Sequence, residues 1–288
     1  MTTTASTAAP SAGRSRRRIG RALISLLLVL LGLIMVAPLI WLVVTSLTEP
    51  SHAFALPPNW LPIPFSTANY EAIDDLVPLG RMVLNSVLVA AASISLSLLF
   101  SVLAAYGFSR LPFRGSRGLM LVLLSALMVP VQLTIIPVFV LMRGLALVDD
   151  IAALWLPTLI NVFQIFFLRQ YFNSIPRELD EAARVDGAGH LWILFRMIVP
   201  LSSPAIAALA ILAFEASWNN FFGALIFLSS PENMTLPVGL VLLSDVRGGV
   251  SAAVIFAAIT VVTLPVLIFF IIFQNKFVSS IATVGIRG

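Results

Sequence analysis

Six apolar runs limit the possible folds of this chain more than any other feature. Each run is close to the length of a helix that crosses a bilayer. They span residues 22–47, 82–106, 119–141, 151–168, 201–228 and 252–273. A spanning α-helix needs about 20 largely apolar residues. A helix also satisfies its backbone hydrogen bonds internally, as lipid requires. The sequence therefore predicts an all-α transmembrane fold, a six-span helical bundle.

The composition agrees with lipid as the main solvent. The chain is 59% hydrophobic and 10% charged, whereas a soluble domain carries about 25% charged residues. Its net charge of +4 comes from basic residues between the apolar runs, which is typical of membrane proteins rather than of nucleic-acid-binding domains. There is no cysteine, and the histidines are His52 and His190. We therefore expect no cysteine nucleophile and no metal site. No Ser/His/Asp or paired-carboxylate arrangement suggests bond chemistry, so no catalytic site is expected either.

The basic residues fall mainly in alternate loops. On one side lie Arg14, Arg16, Arg17, Arg18, Arg21, Arg110, Arg114, Arg117, Arg169, Arg177, Arg184, Arg196, Lys276 and Arg287. On the other side lie Arg81, Arg143 and Arg247. Because cytoplasmic loops carry the excess of Lys and Arg, we predict that both termini are cytoplasmic.

The spans divide the chain into four predicted regions. Residues 1–21 are a disordered basic cytoplasmic tail, and residues 22–78 hold the first transmembrane helix and an extracytoplasmic loop. Residues 79–275 are the core, and residues 276–288 are a cytoplasmic C-terminal tail. The first apolar run exceeds the ~7–15 residues of a signal-peptide core, so we expect an uncleaved anchor.

A polar connector, residues 176–199, lies between the fourth and fifth spans. Its early carboxylates, Glu178, Asp180 and Glu181, favour the positive end of a helix, and Gly187 is placed to end that helix in a left-handed conformation. A second helix is expected from about His190. A solvated surface helix and a knob of small residues that enters a partner's groove both fit this composition.

The segment EAARVDGAGHLWILFRMIVP, residues 181–200, resembles the EAA signature of ABC-importer permeases. In that family this short cytoplasmic helix docks on the ATP-hydrolysing subunit, and residues 176–199 would be the coupling helices. Carried over, the resemblance implies these ATPase-coupling residues: Glu181, Ala182, Ala183, Arg184, Asp186 and Gly187. It also implies the type I, MetI-like permease fold over residues 79–275.

Three further stretches resemble the second permease of maltose-type carbohydrate importers. They are NSVLVA from Asn85, FEASWNNFFGALIFLSSPENMTLPVGL from Phe214, and FQNKFVSSIATVGIRG from Phe273. The resemblance implies a second, homologous permease chain, two ATPase subunits, an extracytoplasmic solute-binding protein, a sugar substrate and a bacterial cytoplasmic membrane. No nucleic-acid partner is expected.

Hydrolysis of ATP by this chain itself is not expected. A phosphate-binding loop needs several glycines before Lys-Ser or Lys-Thr. The single lysine, Lys276, is followed by Phe277 and has no such glycines. We therefore expect a non-catalytic translocation subunit that binds no cofactor, with ATP and Mg²⁺ on the partner ATPase.

Polar residues inside the predicted spans are candidates for a substrate pathway. They are Glu215, Trp218, Asn219, Asn220, Asn161 and Gln164. A charge in mid-membrane costs about 2.5–3.5 kcal/mol on insertion scales, so it usually faces the bundle interior or a water-filled cavity. Hydrogen bonding between neighbouring spans is the alternative for the amide side chains. An indole such as that of Trp218 is suited to stacking on a sugar ring.

Three other functions fit parts of the sequence. An ABC permease for phosphate, polyamine or peptide would keep the coupling segment and change the cargo. A secondary transporter would use Glu215 as a proton or ion site, but it leaves the EAA segment unexplained. A membrane scaffold without transport leaves the polar residues inside the spans unexplained.

Overall fold

The structure is a computed structural model, and it describes residues 12–53, 59–111, 113–245 and 250–285. Within these residues the chain is mostly helical and contains no β-strand. The helices are α1 (Ala12–Ser46), α2 (Ala68–Asp74), α3 (Leu79–Arg110), α4 (Ser116–Ala126), α5 (Val131–Gly144), α6 (Ala152–Trp155), α7 (Val162–Asn173), α8 (Glu178–Val185), α9 (His190–Ile193), α10 (Val199–Leu201), α11 (Ser203–Trp218), α12 (Phe221–Phe227), α13 (Leu236–Asp245) and α14 (Ala252–Gly285). A 3-10 turn covers Leu156–Thr158, and a π-helical turn covers Leu194–Ile198.

The prediction of an all-α transmembrane chain is confirmed. Four helical stretches of the described residues are long and apolar enough to cross a membrane, and they are Leu23–Ser46, Leu79–Arg110, Ala152–Asn173 and Ala252–Ile272. Two bent pairs would bring this number to six if each pair were one span. The helices also group into two compact units, which are described separately below.

The predicted third span is sharply broken rather than continuous. Its two helices, α4 and α5, meet at an angle of 99°. The break falls before Pro130, which has an extended ψ of 133° and no backbone N–H to donate. Proline also disfavours helical geometry at the preceding residue, Val129. The sequence showed this proline, but its local chemistry does not set the size of the bend.

The predicted fifth span, residues 201–228, is also interrupted. The helix α11 starts at Ser203, after a 79° bend from the preceding helical run His190–Leu201. It ends at Trp218, and α12 starts at Phe221. The Asn219-Asn220 pair therefore lies at a helix break and not inside a continuous span. Asn220 caps α12, because its Oδ1 accepts a hydrogen bond from the N–H of Gly223 at 3.0 Å.

The ends of the chain differ from the sequence prediction. Residues 12–21 belong to the predicted disordered tail, but their backbone is helical and continues into α1. Arginine is a good helix former, so a run of arginines extends the helix. The backbone of residues 276–285, in the predicted C-terminal tail, likewise continues α14. Residues 1–11 and 286–288 and Arg247 lie outside the described residues.

One unit comprises Met1–Tyr70 and Ser251–Thr260. In it, Asn69 closes the end of α1 by donating through Nδ2 to the carbonyl oxygens of Ser46 and Thr48 at 2.9 and 2.8 Å. These carbonyls belong to the last turn of a helix or follow it, where intrahelical partners are lacking. The loop that follows the first span is therefore fixed to the end of that span.

The other unit comprises Glu71–Val250 and Val261–Gly288. Its central helix is α3, which packs against α7 and α11. Ser97 and Ser101 lie on the buried face of α3 and hold the amide of Gln164 from α7. Ser101 Oγ donates to Gln164 Oε1 at 3.0 Å, and Gln164 Nε2 donates to Ser97 Oγ at 3.4 Å. Small residues allow such helices to approach closely in a membrane.

Asp149 joins two loops at one end of this unit. Its Oδ1 accepts hydrogen bonds from the backbone N–H groups of Ser229 and Ser230 at 2.8 and 2.9 Å. The hydroxyl of Ser230 donates to Oδ2, and Asn233 Nδ2 donates to the backbone carbonyl of Asp149 at 2.6 Å. These hydrogen bonds, first those from Ser230, favour the ionised carboxylate and lower the pKa of Asp149 from 3.8 to about 2.

We expect Asp149→Asn to make stability less sensitive to acid. Because the folded pKa lies below the ordinary value, the carboxylate stabilises the fold above about pH 4, and this contribution is lost as the pH falls from about 4 towards 2. Melting temperatures in detergent should therefore fall more for wild type than for Asp149→Asn between pH 7 and 3. Asp150→Asn is the control, because Asp150 Oδ1 accepts from the N–H of Ala152 within its own loop. Equal pH slopes for wild type and Asp149→Asn would contradict this assignment.

Candidate coupling segment and polar cavity

The EAA segment forms a short helix that ends in a left-handed glycine turn. Gly187 has φ +85°. Its N–H donates to the carbonyl oxygen of Arg184, and the N–H of Ala188 donates to that of Ala183, both at 2.9 Å. This pair of bonds is the Schellman arrangement, which satisfies the last carbonyls of a helix and needs a residue with positive φ. The predicted left-handed end at Gly187 is confirmed.

The helix α8 has one buried and one exposed face. Asp180 and Ala183 point inward, with 5% and 8% of their surface accessible. Glu181 and Ala182 are exposed, and Val185 is 87% exposed. An eight-residue helix is marginal in isolation, so its inner face must hold it in place. The outer face is available to another molecule.

A groove of 550 Å³ runs along this segment. Its lining residues are Leu179, Ala182, Ala183, Asp186, Gly187, Ala188, Gly189, Trp192 and Met197. Small side chains along α8 and the glycine turn keep the groove open, and Trp192 and Leu191 remain more than half exposed. An exposed apolar surface of this kind, bordered by charged residues, is typical of an interaction site.

Several polar contacts fix the inner face to the last turns of α3. Arg110 Nε lies 2.6 Å from Asp180 Oδ2, and Arg110 Nη2 donates to the carbonyl oxygen of Ile175 at 2.9 Å. Arg177 Nη2 donates to the carbonyl oxygen of Ser109 at 3.1 Å. The last carbonyls of a helix are partly negative and lack intrahelical partners, so a cationic donor stabilises them.

A cavity of 610 Å³ lies elsewhere in the same unit, beside the break after α11. Its polar lining residues are Gln132, Thr134, Thr158, Asn219 and Asn220, and its aromatic lining residues are Phe221, Phe222 and Phe227. Amide and hydroxyl groups beside aromatic rings suit a hydroxylated ligand, because they combine hydrogen bonding with an apolar contact surface.

Two of the six predicted pathway residues, Asn219 and Asn220, line this cavity. Asn219 is exposed, and its Nδ2 donates to Glu215 Oε1 at 3.2 Å, four residues earlier on the helix. Asn220 uses its Oδ1 to cap α12. Glu215 is exposed on α11 and does not line the cavity. The break in the fifth segment is therefore what brings the two amides to the cavity wall.

The other candidates occupy packing positions. Trp218 is 2% exposed, stacks on Phe214 at 5.4 Å between ring centroids, and donates through Nε1 to the carbonyl oxygen of Val262 at 3.1 Å. Gln164 bonds the serines of α3 as described above. Asn161 caps α7 by accepting from the N–H of Gln164 at 3.1 Å. These contacts join or cap helices, which was the alternative role considered for the amides.

Sequence reasoning missed the roles of Arg110, Gln132, Thr134 and Thr158. It also assigned Asp180 only to the positive end of the helix. Arg110 and Asp180 are separated by two predicted spans, residues 119–141 and 151–168, and no spacing rule pairs residues across such a distance. Within the described residues, no group of three or more His, Cys, Asp or Glu side chains is placed to hold a metal ion.

Comparison with protein families gives a match over residues 97–283. The matching family is described as binding-protein-dependent transport system inner membrane component. This range includes the coupling segment, the cavity residues and the second half of α3. It covers well over half of the chain.

Named relatives include three sugar-transport permeases. The sulfoquinovosyl glycerol transport system permease protein SmoH of Agrobacterium fabrum is 35% identical, and the match covers 87% of this chain and 88% of that protein. The arabinooligosaccharides transport system permease protein AraQ of Halalkalibacterium halodurans is 37% identical over 71% of this chain and 73% of its own length. The trehalose/maltose transport system permease protein MalG of Thermococcus litoralis is 30% identical over 90% of this chain and 94% of its own length.

A solved structure has the same fold. It is a chain of a bacterial ABC transporter involved in the import of the acidic polysaccharide alginate, with a TM-score of 0.79 and 27% sequence identity. The match covers 94% of this chain and all of that chain. Together with the broken helices and the EAA segment, these matches show that the chain belongs to the binding-protein-dependent transport system inner membrane components.

Proposed function

We propose that this chain is the membrane-spanning permease subunit of an ATP-driven sugar importer and that α8 with its Gly187 turn docks on a separate ATPase. The observation that carries the proposal is the outer face of the EAA segment. Its small residues are exposed along a groove, while its inner face is fixed to the unit through Arg110. A solvated loop helix needs neither feature. The coupling residues proposed are Glu181, Ala182, Ala183, Arg184, Asp186 and Gly187.

The sidedness of the loops supports a cytoplasmic position for α8. Arg110, Arg177 and Asp180 meet at one end of the unit, and Asp149 and Ser230 meet in other loops that carry fewer basic residues. The excess of arginine at the end with α8 agrees with the positive-inside rule. We therefore assign both termini to the cytoplasm of a bacterial cell and residues 79–275 to the permease core.

The cavity wall is the proposed contribution of this chain to the translocation path. Asn219 and Asn220 offer donors and acceptors to sugar hydroxyls, and the nearby phenylalanines offer apolar contact. Relatives named for the transport of sulfoquinovosyl glycerol and of arabinooligosaccharides favour a carbohydrate over phosphate, a polyamine or a peptide. A second permease chain would complete the path. Two ATPase subunits with ATP and Mg²⁺, and an extracytoplasmic solute-binding protein, would complete the importer.

Purification of the tagged chain from mild detergent tests this proposal. We expect an ATPase, a second permease and a solute-binding protein to copurify, and a sugar to be released from the binding protein. Recovery of this chain alone, with proton-driven uptake in vesicles that lack ATP, would favour the secondary transporter. In that case Glu215→Gln should abolish uptake, whereas an ATP-driven importer should tolerate the change because a glutamine still accepts the hydrogen bond from Asn219.

Asn219→Leu is expected to weaken substrate recognition. Removal of one hydrogen bond to a neutral ligand costs about 0.5–1.5 kcal/mol, which corresponds to a rise of about two- to twelvefold in KM for uptake. The maximal rate of ATP hydrolysis by the complex should change less, because α8 is untouched. Asn219 is a better test than Asn220, whose replacement would also remove the cap of α12. An unchanged KM would exclude Asn219 from the pathway.

A further inference from the structure

The ion pair between Arg110 and Asp180 is buried inside the unit and is not a surface salt bridge. The side chains are 2% and 7% exposed, and Nε and Oδ2 are 2.6 Å apart. Two charges taken out of water lose much of their hydration. A buried pair of this kind is therefore weak evidence for stability and directs attention to a specific structural role.

The two residues lie on elements that the chain does not connect directly. Arg110 is the last residue of α3, and Asp180 is in the first turn of α8. The guanidinium also holds the carbonyl oxygen of Ile175, just before α8. Ala183, one turn after Asp180, belongs to the same buried cluster as Val102 and Ala105 of α3. One face of α8 is thus fixed to α3 by the ion pair and by packing, and the hydrogen bond to Ile175 fixes the chain just before α8.

The covalent connections of α8 are less rigid than this contact. On its C-terminal side the chain passes through the glycine turn, then the π-helical turn Leu194–Ile198, then the 79° bend before α11. On its N-terminal side it passes through the non-helical link to α7, residues 174–177. π-helical turns and bends are places where a helix is locally irregular. A force on α8 would be partly absorbed along both of these routes.

We propose that Arg110 is a positioning residue that makes α8 and α3 move as one body, so that a displacement of the coupling segment reaches the central helix of the unit directly. This inference rests on the proposed docking of α8 on an ATPase and deepens it. Asp180 is the matching residue on α8. Glu181, the next carboxylate, is exposed and remains available to the partner. Adjacent acidic residues therefore have different roles, one toward α3 and one toward the ATPase.

Distance measurements by electron paramagnetic resonance test this coupling. The chain has no native cysteine, so Leu111→Cys and Glu178→Cys place one spin label at the end of α3 and one at the start of α8. Both positions are accessible, since Leu111 is 37% exposed and Glu178 is an exposed residue. In the assembled complex we expect one narrow distance distribution that is unchanged by nucleotide. Asp180→Asn should broaden it, while Glu181→Gln, the same charge change on the outer face, should leave it narrow.

Transport provides a second readout. In proteoliposomes with matched amounts of complex, Asp180→Asn should lower sugar uptake per ATP hydrolysed by about tenfold. A change of this size is within the range that substitutions between two coupled sites produce in their coupling. ATP hydrolysis itself should persist, because the outer face of α8 is intact. A merely structural residue would lower the yield of complex and leave this ratio unchanged.

The outcomes separate this inference from the proposed function. If no ATPase copurifies with the wild-type chain, the proposed function fails whatever the distances show. If the ATPase copurifies but Asp180→Asn keeps a narrow distribution and the wild-type ratio, the positioning role of Arg110 is overturned. If Asp180→Asn does not assemble, Arg110→Gln with Asp180→Asn leaves no unpaired buried charge and is measured instead. A broadened distance distribution and a lowered uptake per ATP in this double variant would support the positioning role of Arg110. A narrow distribution with the wild-type ratio would overturn it.

Discussion

Gly187→Val is expected to abolish most ATP-driven uptake. At φ +85° a side chain costs about 1–2 kcal/mol relative to glycine, and a β-branched one is among the least tolerated. No heavy atom lies within 4 Å of the position that a Cβ would take, so the cost is backbone strain and not a clash. About 1–2 kcal/mol lowers the population of the native turn by roughly five- to thirtyfold. The coupling segment would then present its outer face in a different orientation.

Gly115 provides a matched control for this substitution. It has the same φ of +85° and the same open space where a Cβ would lie, but it precedes α4 and is not one of the residues that line the groove along α8. Gly115→Val should therefore cost similar stability in a melting experiment and leave uptake per ATP unchanged. Gly187→Asn should retain more uptake than Gly187→Val, because asparagine tolerates the left-handed region. Normal uptake in Gly187→Val would argue strongly against the proposed coupling role.

Arg110→Met is expected to destabilise the unit strongly. It leaves the carboxylate of Asp180 buried without its cation, and loss of one partner of a buried ion pair costs about 3–5 kcal/mol. For a chain of this size that corresponds to a fall of roughly 10 °C in melting temperature. Thermal melting of the purified chain in detergent, at neutral pH, measures the change.

Two variants identify the cause of that loss. Arg110→Met combined with Asp180→Leu removes both charges and should recover most of the melting temperature, because apolar replacement of a buried pair is often neutral or stabilising. Arg177→Met removes one hydrogen bond, to the carbonyl oxygen of Ser109, and should cost about 1 kcal/mol. If Arg110→Met melts no lower than Arg177→Met, the unpaired carboxylate of Asp180 does not have the cost assigned to it.

Local chemistry made the coupling segment predictable from sequence. The carboxylates of Glu178, Asp180 and Glu181 do lie in the first turn of α8, and Gly187 does end it with positive φ. These features depend on a few neighbouring residues, so a single sequence contains the information. The apolar runs were also predictable from the sequence, because the thickness of the lipid bilayer sets the length of a spanning helix.

Features that depend on distant residues were not predictable. The sequence showed Pro130, but the 99° angle between α4 and α5 depends on what those helices pack against. Trp218 was a candidate for sugar stacking, yet its indole is occupied by Phe214 and Val262, which lie on its own helix and on α14. The carboxylate that pairs with Arg110 belongs to Asp180 in the first turn of α8, far along the chain. A single sequence has no signal for such a pair, and covariation among related sequences would be the place to seek one.

The two hydrogen bonds between Gln164 and the serines of α3 have a consequence for the insertion of the chain into the membrane during synthesis. Ser101 precedes Gln164 by 63 residues, which a ribosome adds in about 3–13 s. During that interval α3 stands in the membrane with hydroxyls that can turn back to their own helix, as Ser97 Oγ does toward the carbonyl oxygen of Ile94 at 3.5 Å. The longer amide side chain of glutamine instead finds its hydrogen-bond partners on a neighbouring helix. The glutamine, which is the costlier side chain in lipid, is therefore synthesised last, when both of its serine partners are already in place.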